Sequence, residues 1–323
     1  MSNDAQAFWV AGPGRGEIRT EELRRPGSGE VVVRALYSGI SRGTEALVFS
    51  GRVPQSEWAR MRAPFQVGEF PGPVKYGYSV AGIVEQGSAE LMGRQVFVLH
   101  PHQTRFVVPA TAVQVLPDKV PPARAVLAAN LETALNGIWD ARPHVGDRIA
   151  VIGAGTVGML TAWLASRLPE CVVQLVDLNP RREMVARALG VPFATPDAAA
   201  GDADVVIHAS GSPSGLELAL TVAALEATIV EMSWFGDQPV SLPLGGAFHS
   251  KRLTIVSSQV GRLAPAQRAR WDHGRRLQLA LGMLRDSALD AVITGESPFE
   301  SLPEVMAGLA HTPGEALCHR IRY

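Results

Sequence analysis

The stretch RIAVIGAGTVG, residues 148–158, decides the fold of this chain. It opens with a short apolar run, which is typical of a strand whose two faces are both covered by helices. The glycine turn GAGTVG follows, and after it comes an apolar stretch of helical length. Gly153 permits a tight turn, Gly155 lets a ligand approach the backbone, and Gly158 lets helix and strand pack closely. The order strand, glycine turn, helix predicts a dinucleotide site whose phosphates face the N–H groups at the helix start.

An acidic residue follows the next predicted strand. Val172–Val176 indicates that strand, and Asp177 ends it, 24 residues after the first glycine of the turn. A carboxylate at this position accepts hydrogen bonds from ribose hydroxyls and repels a 2′-phosphate, so NAD is the predicted cofactor. Arg181 and Arg182 follow and could contact such a phosphate, although arginines that open a helix are more often solvated. The cofactor-binding residues predicted from this pattern are Gly153, Gly155, Thr156, Val157, Gly158, Asp177 and Arg182.

Composition and charge exclude several classes of protein. The chain has 46% hydrophobic and 19% charged residues, as ordinary globular proteins do. Thirty basic and thirty-one acidic residues leave a net charge of −1, so we expect no nucleic-acid partner. No apolar run approaches the roughly 18 residues of a membrane span, and the first residues lack a secretion signal. We therefore expect a cytoplasmic protein without membrane contact, with Cys171 and Cys318 as buried thiols in strands.

The pattern of elements divides the chain into three stretches. Residues 1–122 hold short β-type runs broken by Gly and Pro, which predicts a compact, mostly β domain. Residues 123–258 alternate strands and helices, a pattern typical of a doubly wound parallel sheet. Residues 259–323 include a charged stretch that predicts a helix near 264–286. The prediction is an α/β protein with a second, mostly β domain.

Four motifs together resemble the medium-chain dehydrogenase/reductase superfamily. They are LYSGISRGTE (36–45), GYSVAGIV (77–84), the glycine turn and HASGS (208–212). The first is similar to that superfamily's CGICGTD with one extra residue, and the second to its GHExxGxV. The resemblance covers nearly the whole chain and implies a GroES-like catalytic domain, a Rossmann domain and a return to the first domain. It also implies nicotinamide-side contacts from Ser210, Gly211, Ser233 and Gln259.

Three positions separate this chain from the zinc-dependent members it resembles. The resemblance implies that the catalytic metal would be held at Ser41, Tyr78 and Glu132, where those members carry Cys, His and a third Cys or Glu. Only the glutamate is retained, and catalytic zinc normally needs three protein ligands. The stretch 98–105 also lacks the cysteines of the structural zinc lobe. We therefore expect a zinc-free member with no metal ligands.

Without zinc, side chains must stabilise charge on the substrate oxygen and carry its proton. Tyr78 and Lys75 could donate to that oxygen. Tyr78 is equally suited to filling the space left by the metal, and Lys75 is better suited to a solvated surface position. His100 is expected to titrate near neutral pH and so to suit a proton relay, and His102 is a weaker candidate.

Three further residues are candidates for proton transfer. Glu132 lies in an otherwise apolar helix, where a buried carboxylate suits a general acid or base, unless a salt bridge, for instance to Arg42, holds it. Ser41 and Thr44 could pass a proton or only cap the turn, and Arg42 could instead clamp an acidic substrate. Residues 271–276 are expected to form a solvated, ion-paired helix face rather than a substrate rim.

The function predicted is that of an NAD-dependent, zinc-independent dehydrogenase that interconverts a small secondary alcohol and its ketone. SGIS-x-GTE most resembles the superfamily branch that contains bacteriochlorophyllide dehydrogenase, which implies oxidation of a secondary hydroxyl group. Two alternatives stay open: a zinc-free NAD(P)H-dependent quinone or enoyl reductase, and a non-catalytic dinucleotide-binding protein. The resemblance also implies a homodimer. The long loop 50–73 could cover the substrate or form an extra helix.

Overall fold

The computed structural model describes residues 4–312 and 314–323. The strands are β1 (Asp4–Gly12), β2 (Arg15–Glu22), β3 (Glu30–Ile40), β4 (Val67–Gly68), β5 (Val74–Lys75), β6 (Val80–Gln86), β7 (Gln95–Val98), β8 (Arg105–Pro109), β9 (Gln114–Val115), β10 (Arg148–Ile152), β11 (Val172–Val176), β12 (Phe193–Ala194), β13 (Ala203–His208), β14 (Ala223–Glu231), β15 (Thr254–Ser257), β16 (Ile293–Pro298) and β17 (Cys318–Arg322). The α-helices are α1 (Arg42–Phe49), α2 (Pro122–Ala125), α3 (Ala128–Ala141), α4 (Thr156–Ala165), α5 (Glu183–Ala188), α6 (Pro213–Val222), α7 (His273–Met283) and α8 (Leu302–His311).

The chain forms two compact units. The first consists of Met1–Ala129 with Leu281–Tyr323, and the second of Asn130–Ala280.

The first unit is built mainly from β-strands. Its larger sheet has the order β16-β17-β3-β6-β7-β9, and β8 also pairs with β3. The pairs are antiparallel except for β16 with β17. One face is apolar because Val31, Val33, Val96 and Phe106 alternate inward along their strands and are buried together. The smaller sheet, β2-β1-β5-β4, rests on a β1–β2 hairpin that the sequence analysis did not predict.

The second unit carries a six-stranded, wholly parallel sheet. Its order is β12-β11-β10-β13-β14-β15, which confirms the predicted doubly wound α/β sheet. Ile149–Ile152 of β10 is buried along its length, as expected for a strand covered on both faces. The strand order reverses between β10 and β13, so a ligand crevice is expected at the carboxyl ends of these two strands.

Two local expectations were wrong. The helix predicted near 264–286 begins only at His273, because Asp272 accepts the Arg275 N–H at 2.7 Å and caps α7. Residues 264–270 before it form separate turns. Cys171 lies just before β11 and is half-buried, whereas Cys318 opens β17 and is buried.

The loop 50–73 contains a single 3-10 turn at Gln55–Glu57 and the short strand β4, so among the described residues it holds no extra α-helix. No helix in the described part of the chain combines the length and the apolar character needed to cross a bilayer.

Candidate active site

The glycine turn in the second unit has the shape of a dinucleotide cradle. Gly153 has a φ of +104°, and a Cβ there would lie 2.6 Å from the backbone N and Cα of Ser210. A Cβ on Gly158 would collide with the carbonyl oxygen of Gly153, so glycine alone fits both positions. At Gly155 a Cβ would meet no atom within 4 Å, which leaves open space over the start of α4. The N–H groups of the first turn of α4, which begins Thr156-Val157, have no carbonyl partner within the helix.

Asp177 supports this turn from the end of β11. One carboxylate oxygen accepts the Ala154 N–H at 2.6 Å and the other accepts the Asn179 N–H at 2.9 Å. Each oxygen keeps a further lone pair, so the carboxylate remains able to accept from a ligand hydroxyl. Arg182 is buried behind the turn, donates to the Ala154 carbonyl at 2.7 Å and lies 3.8 Å from Asp177. Its guanidinium therefore holds the turn rather than extending into solvent.

The residues predicted on the nicotinamide side follow three adjacent parallel strands. Ser210 and Gly211 come after β13, Ser233 after β14 and Gln259 after β15. The Gly211 N–H donates to the Ser233 hydroxyl at 3.0 Å, so the first two loops are joined. The Gln259 side chain is folded against Gly261, where a Cβ would lie 2.9 Å from its Oε1.

In the first unit three predicted residues meet in one hydroxyl cluster. The Tyr78 hydroxyl hydrogen-bonds with the side chains of Ser41 and Thr44, at the start of α1. Burial and the nearby negative charge of Glu45 raise the pKa of Tyr78 to about 12, although its two hydroxyl partners act in the opposite direction. The phenol is therefore neutral throughout the physiological range and can donate a hydrogen bond.

A buried hydrogen-bonded chain lies beside this cluster. Glu45 accepts the Ser41 N–H at 2.8 Å and bonds through its other oxygen to Nε2 of His102 at 2.9 Å. The Nδ1 atom of His102 lies 2.7 Å from the Ser38 hydroxyl, which lies 2.9 Å from the Tyr323 hydroxyl. Glu45, Ser38 and Tyr323 were not among the predicted site residues, and His102 was only the weaker of the two histidine candidates. The signal available in the sequence was the spacing of Ser41 and Glu45, which lie one helical turn apart in SGISRGTE.

Lys75 does not have the environment that the sequence predicted. It is buried, and its ammonium donates to Glu21 Oε2 at 2.7 Å and to Gln103 Oε1 at 2.9 Å. The expectation of a solvated surface lysine was wrong, because β2 and the segment between β7 and β8 supply its two partners. The ammonium is engaged by these two side chains.

His100 is buried in an aromatic stack. Its ring lies parallel to that of Phe106 with the centroids 3.7 Å apart, and the Phe65 ring lies 5.5 Å away. Burial lowers the pKa of His100 to about 3, despite the hydrogen bond between Nδ1 and the Pro101 carbonyl. The expectation that this histidine titrates near neutral pH was therefore wrong.

Glu132 belongs to the second unit, on α3, and its partner there is Arg276. The Arg276 Nε donates to Glu132 Oε1 at 3.0 Å, and the same guanidinium donates to Asn136 Oδ1 and the Val260 carbonyl, both at 2.5 Å. Glu132 therefore forms a salt bridge, the alternative role predicted for it, but with Arg276 rather than Arg42. Burial raises the pKa of Glu132, while Arg276 counteracts this.

Arg276 is itself 1% exposed, so the expectation of a solvated face over 271–276 was wrong at this residue. Among the described residues, no group of three or more His, Cys, Asp or Glu side chains is arranged to hold a metal ion.

Curated proteins similar to this chain are dehydrogenases. D-guloside 3-dehydrogenase of Escherichia coli K12 is 24% identical over 314 residues, covering 88% of this chain and 87% of that protein. The 2-desacetyl-2-hydroxyethyl bacteriochlorophyllide A dehydrogenase of Rhodobacter capsulatus is 27% identical over 320 residues, covering 92% and 95%. No protein-family model matches the chain.

Solved structures share the fold along nearly the whole chain. A short chain alcohol dehydrogenase from Escherichia coli CFT073, complexed with NADH, has a TM-score of 0.79 at 17% identity, covering 99% of this chain and 100% of that one. A candidate zinc-binding dehydrogenase from Sinorhizobium meliloti 1021, bound to NADP, has a TM-score of 0.79 at 17% identity and covers 99% of both chains. The chain is thus similar in sequence to dehydrogenases over most of its length, and it shares its fold with solved alcohol dehydrogenases.

Proposed function

We propose that this chain is an NAD-dependent, zinc-independent dehydrogenase that interconverts a secondary alcohol and its ketone. The observation that carries the proposal is the hydroxyl cluster of Tyr78, Ser41 and Thr44. Ser41 and Tyr78 stand at two of the positions where the zinc-dependent members of the superfamily that this chain resembles carry metal ligands. The similar curated proteins are dehydrogenases, one of them named for oxidation at carbon 3 of a guloside. A secondary alcohol is therefore the substrate class that we propose.

The second unit supports the choice of cofactor. The space over Gly155 and the free N–H groups at the start of α4 suit a pyrophosphate. Asp177 offers carboxylate oxygens to ribose hydroxyls and would repel a 2′-phosphate, which favours NAD over NADP. Arg182 counts against NADP as well, because its guanidinium is already engaged by the Ala154 carbonyl.

The first unit supplies the proposed proton-transfer groups. The glycine turn and Asp177 would hold NAD, which would supply the acceptor for the hydride of the alcohol carbon. Tyr78 donates a hydrogen bond to the substrate oxygen and stabilises the negative charge that develops on it. The Ser41 and Thr44 hydroxyls keep the phenol oriented and would relay a proton between it and solvent water, which takes up the alcohol proton on oxidation and supplies it on reduction. Neutral hydroxyls suit this task better than they suit zinc, which prefers thiolate, imidazole and carboxylate ligands.

The test combines cofactor binding, metal content and turnover on the purified chain. We expect tighter binding of NAD than of NADP, less than one-tenth of an equivalent of zinc, and NADH formation with some member of a panel of polyols, glycosides and hydroxyethyl arenes. About one tightly bound zinc per chain, or preference for NADPH with reduction of enones, would overturn the proposal. Cofactor binding without turnover on any alcohol or ketone would instead indicate a non-catalytic protein.

A further inference from the structure

A histidine and a glutamate are buried together at the carboxyl ends of two central strands in the second unit. His208 ends β13 and stands opposite Glu231 of β14 in the parallel register. The His208 side chain is fully buried, and its Nδ1 lies 2.6 Å from Glu231 Oε2. The other carboxylate oxygen accepts the Ser233 N–H at 2.6 Å. Such a pair is costly to bury unless its polar atoms are satisfied, and here both carboxylate oxygens have partners.

The hydrogen bonds hold His208 on both sides of its ring. A carboxylate only accepts, so Nδ1 of His208 donates to Glu231. On the other side Nε2 lies 2.6 Å from the Ser210 hydroxyl, whose oxygen accepts the Ser212 N–H at 3.1 Å. The Ser210 side chain is therefore held between the His208 ring and the backbone of its own loop. Since Gly211 donates to Ser233, the loops after β13 and β14 are tied together by side chains.

Packing leaves this network no room to rearrange. A Cβ on Gly215 would collide with the Ser210 hydroxyl oxygen and lie 2.8 Å from His208 Nε2. From the other direction, the backbone of Ser210 is pressed against Gly153 of the cofactor turn. Ser210 is therefore closely packed between Gly215 and the cofactor turn.

The position in the sheet indicates what the network holds. In a sheet whose order reverses at β10 and β13, the ligand lies across the carboxyl ends of the strands. The adenosine half of the dinucleotide is expected to lie over β10–β12, the side on which Asp177 lies. The nicotinamide half is then expected to lie over β13 and β14. We propose that His208 and Glu231 are positioning residues, which fix the Ser210–Ser212 and Ser233 loops as the support for the nicotinamide ring. This inference rests on the proposed function.

The test compares Glu231→Gln with the wild-type chain and with a matched control, Glu226→Gln. Glu226 lies on the same strand but pairs with Arg252 at the surface. The glutamine amide can satisfy only one of the two N–H donors, so the loops lose one of their links. We expect kcat to fall about 10- to 100-fold, as small misplacements of reacting groups do. The Kd for NADH should change less than about threefold, because the adenosine half is untouched. The fluorescence lifetime of bound NADH should shorten as the ring gains freedom, and Glu226→Gln should leave all three quantities unchanged.

A Glu231→Gln variant with wild-type kcat and NADH lifetime would overturn the inference. So would a joint loss of binding, turnover and melting temperature in both Glu231→Gln and Ser210→Ala, since that pattern indicates a purely structural network. If the wild-type chain binds NADH but oxidises no alcohol, the proposed function fails. The NADH lifetimes of the wild type and of Glu231→Gln still decide whether the pair positions the ring.

Discussion

Arg276 and Glu132 form an ion pair whose two side chains are both buried, with Nε and Oε1 3.0 Å apart. The two residues are 144 positions apart in the chain, so the pair joins α7 to α3 across the second unit. Removing one partner of a buried pair leaves an uncompensated charge, which costs more than the pair itself contributes.

We expect Arg276→Met to lower the free energy of unfolding by about 3–5 kcal/mol, measured by urea denaturation. The matched control is Arg275→Met, because Arg275 is exposed and lies over the Trp271 ring at 3.9 Å. The control should lose no more than about 1 kcal/mol. Combining Arg276→Met with Glu132→Gln should recover part of the loss. If Arg276→Met and Arg275→Met lowered the free energy of unfolding by equally small amounts, a buried ion pair would be contradicted.

Tyr78→Phe tests the proposed donor to the substrate oxygen. We expect kcat/KM to fall on the order of 100-fold, because one positioned hydroxyl is lost while the ring still fills its space. Since the pKa of Tyr78 is about 12, its deprotonation should not reduce wild-type activity below about pH 11. The control, Tyr37→Phe, removes a hydroxyl on β3 outside the cluster and should retain activity. Equal activity in Tyr78→Phe and the wild type would rule out the assigned role.

Asp177→Asn tests the basis of the cofactor preference. The amide retains an acceptor and a similar shape but loses the negative charge, so its repulsion of a 2′-phosphate disappears. We expect the preference for NAD over NADP to shrink at least about tenfold, with binding of NAD itself weakened by about 1.5–3 kcal/mol. Fluorescence titration with NADH and NADPH measures both effects. The control is Asp202→Asn, at an exposed position just before β13. An unchanged preference in Asp177→Asn would show that this carboxylate does not cause the selectivity.

His100 makes the stability of the chain depend on pH. Burial lowers its pKa to about 3, whereas an unfolded histidine titrates near 6.5, so the unfolded state binds the proton first as the pH falls. The contribution of His100 to the free energy of unfolding is therefore fully present above about pH 6.5. It decreases as the pH falls towards 3, by up to about 1.4 kcal/mol per pH unit. In His100→Gln this part of the slope should vanish, as urea unfolding between about pH 7 and pH 5 would show. His144→Gln removes a histidine that is 87% exposed and should keep the wild-type slope. A slope unchanged by His100→Gln would contradict the low pKa.

The sequence by itself determined the features that depend on neighbouring residues. The apolar run of β10 and the glycines after it require one local geometry, because a Cβ at Gly153 or Gly158 has no space. The strand–turn–helix order then predicts the parallel sheet and the cradle. Short-range sterics and the strand period are enough for these conclusions, and the sheet order agrees with them.

Only the tertiary structure decided the partners of the buried polar groups. Lys75 is buried because Glu21 of β2 and Gln103, between β7 and β8, supply its acceptors. His100 stays neutral because burial, with Phe106 stacked on its ring, lowers its pKa. Residue type shows that a buried charge needs a partner, but not which distant side chain supplies it. That choice depends on the packing of segments far apart in sequence, as with Glu132 and Arg276, which no local pattern encodes.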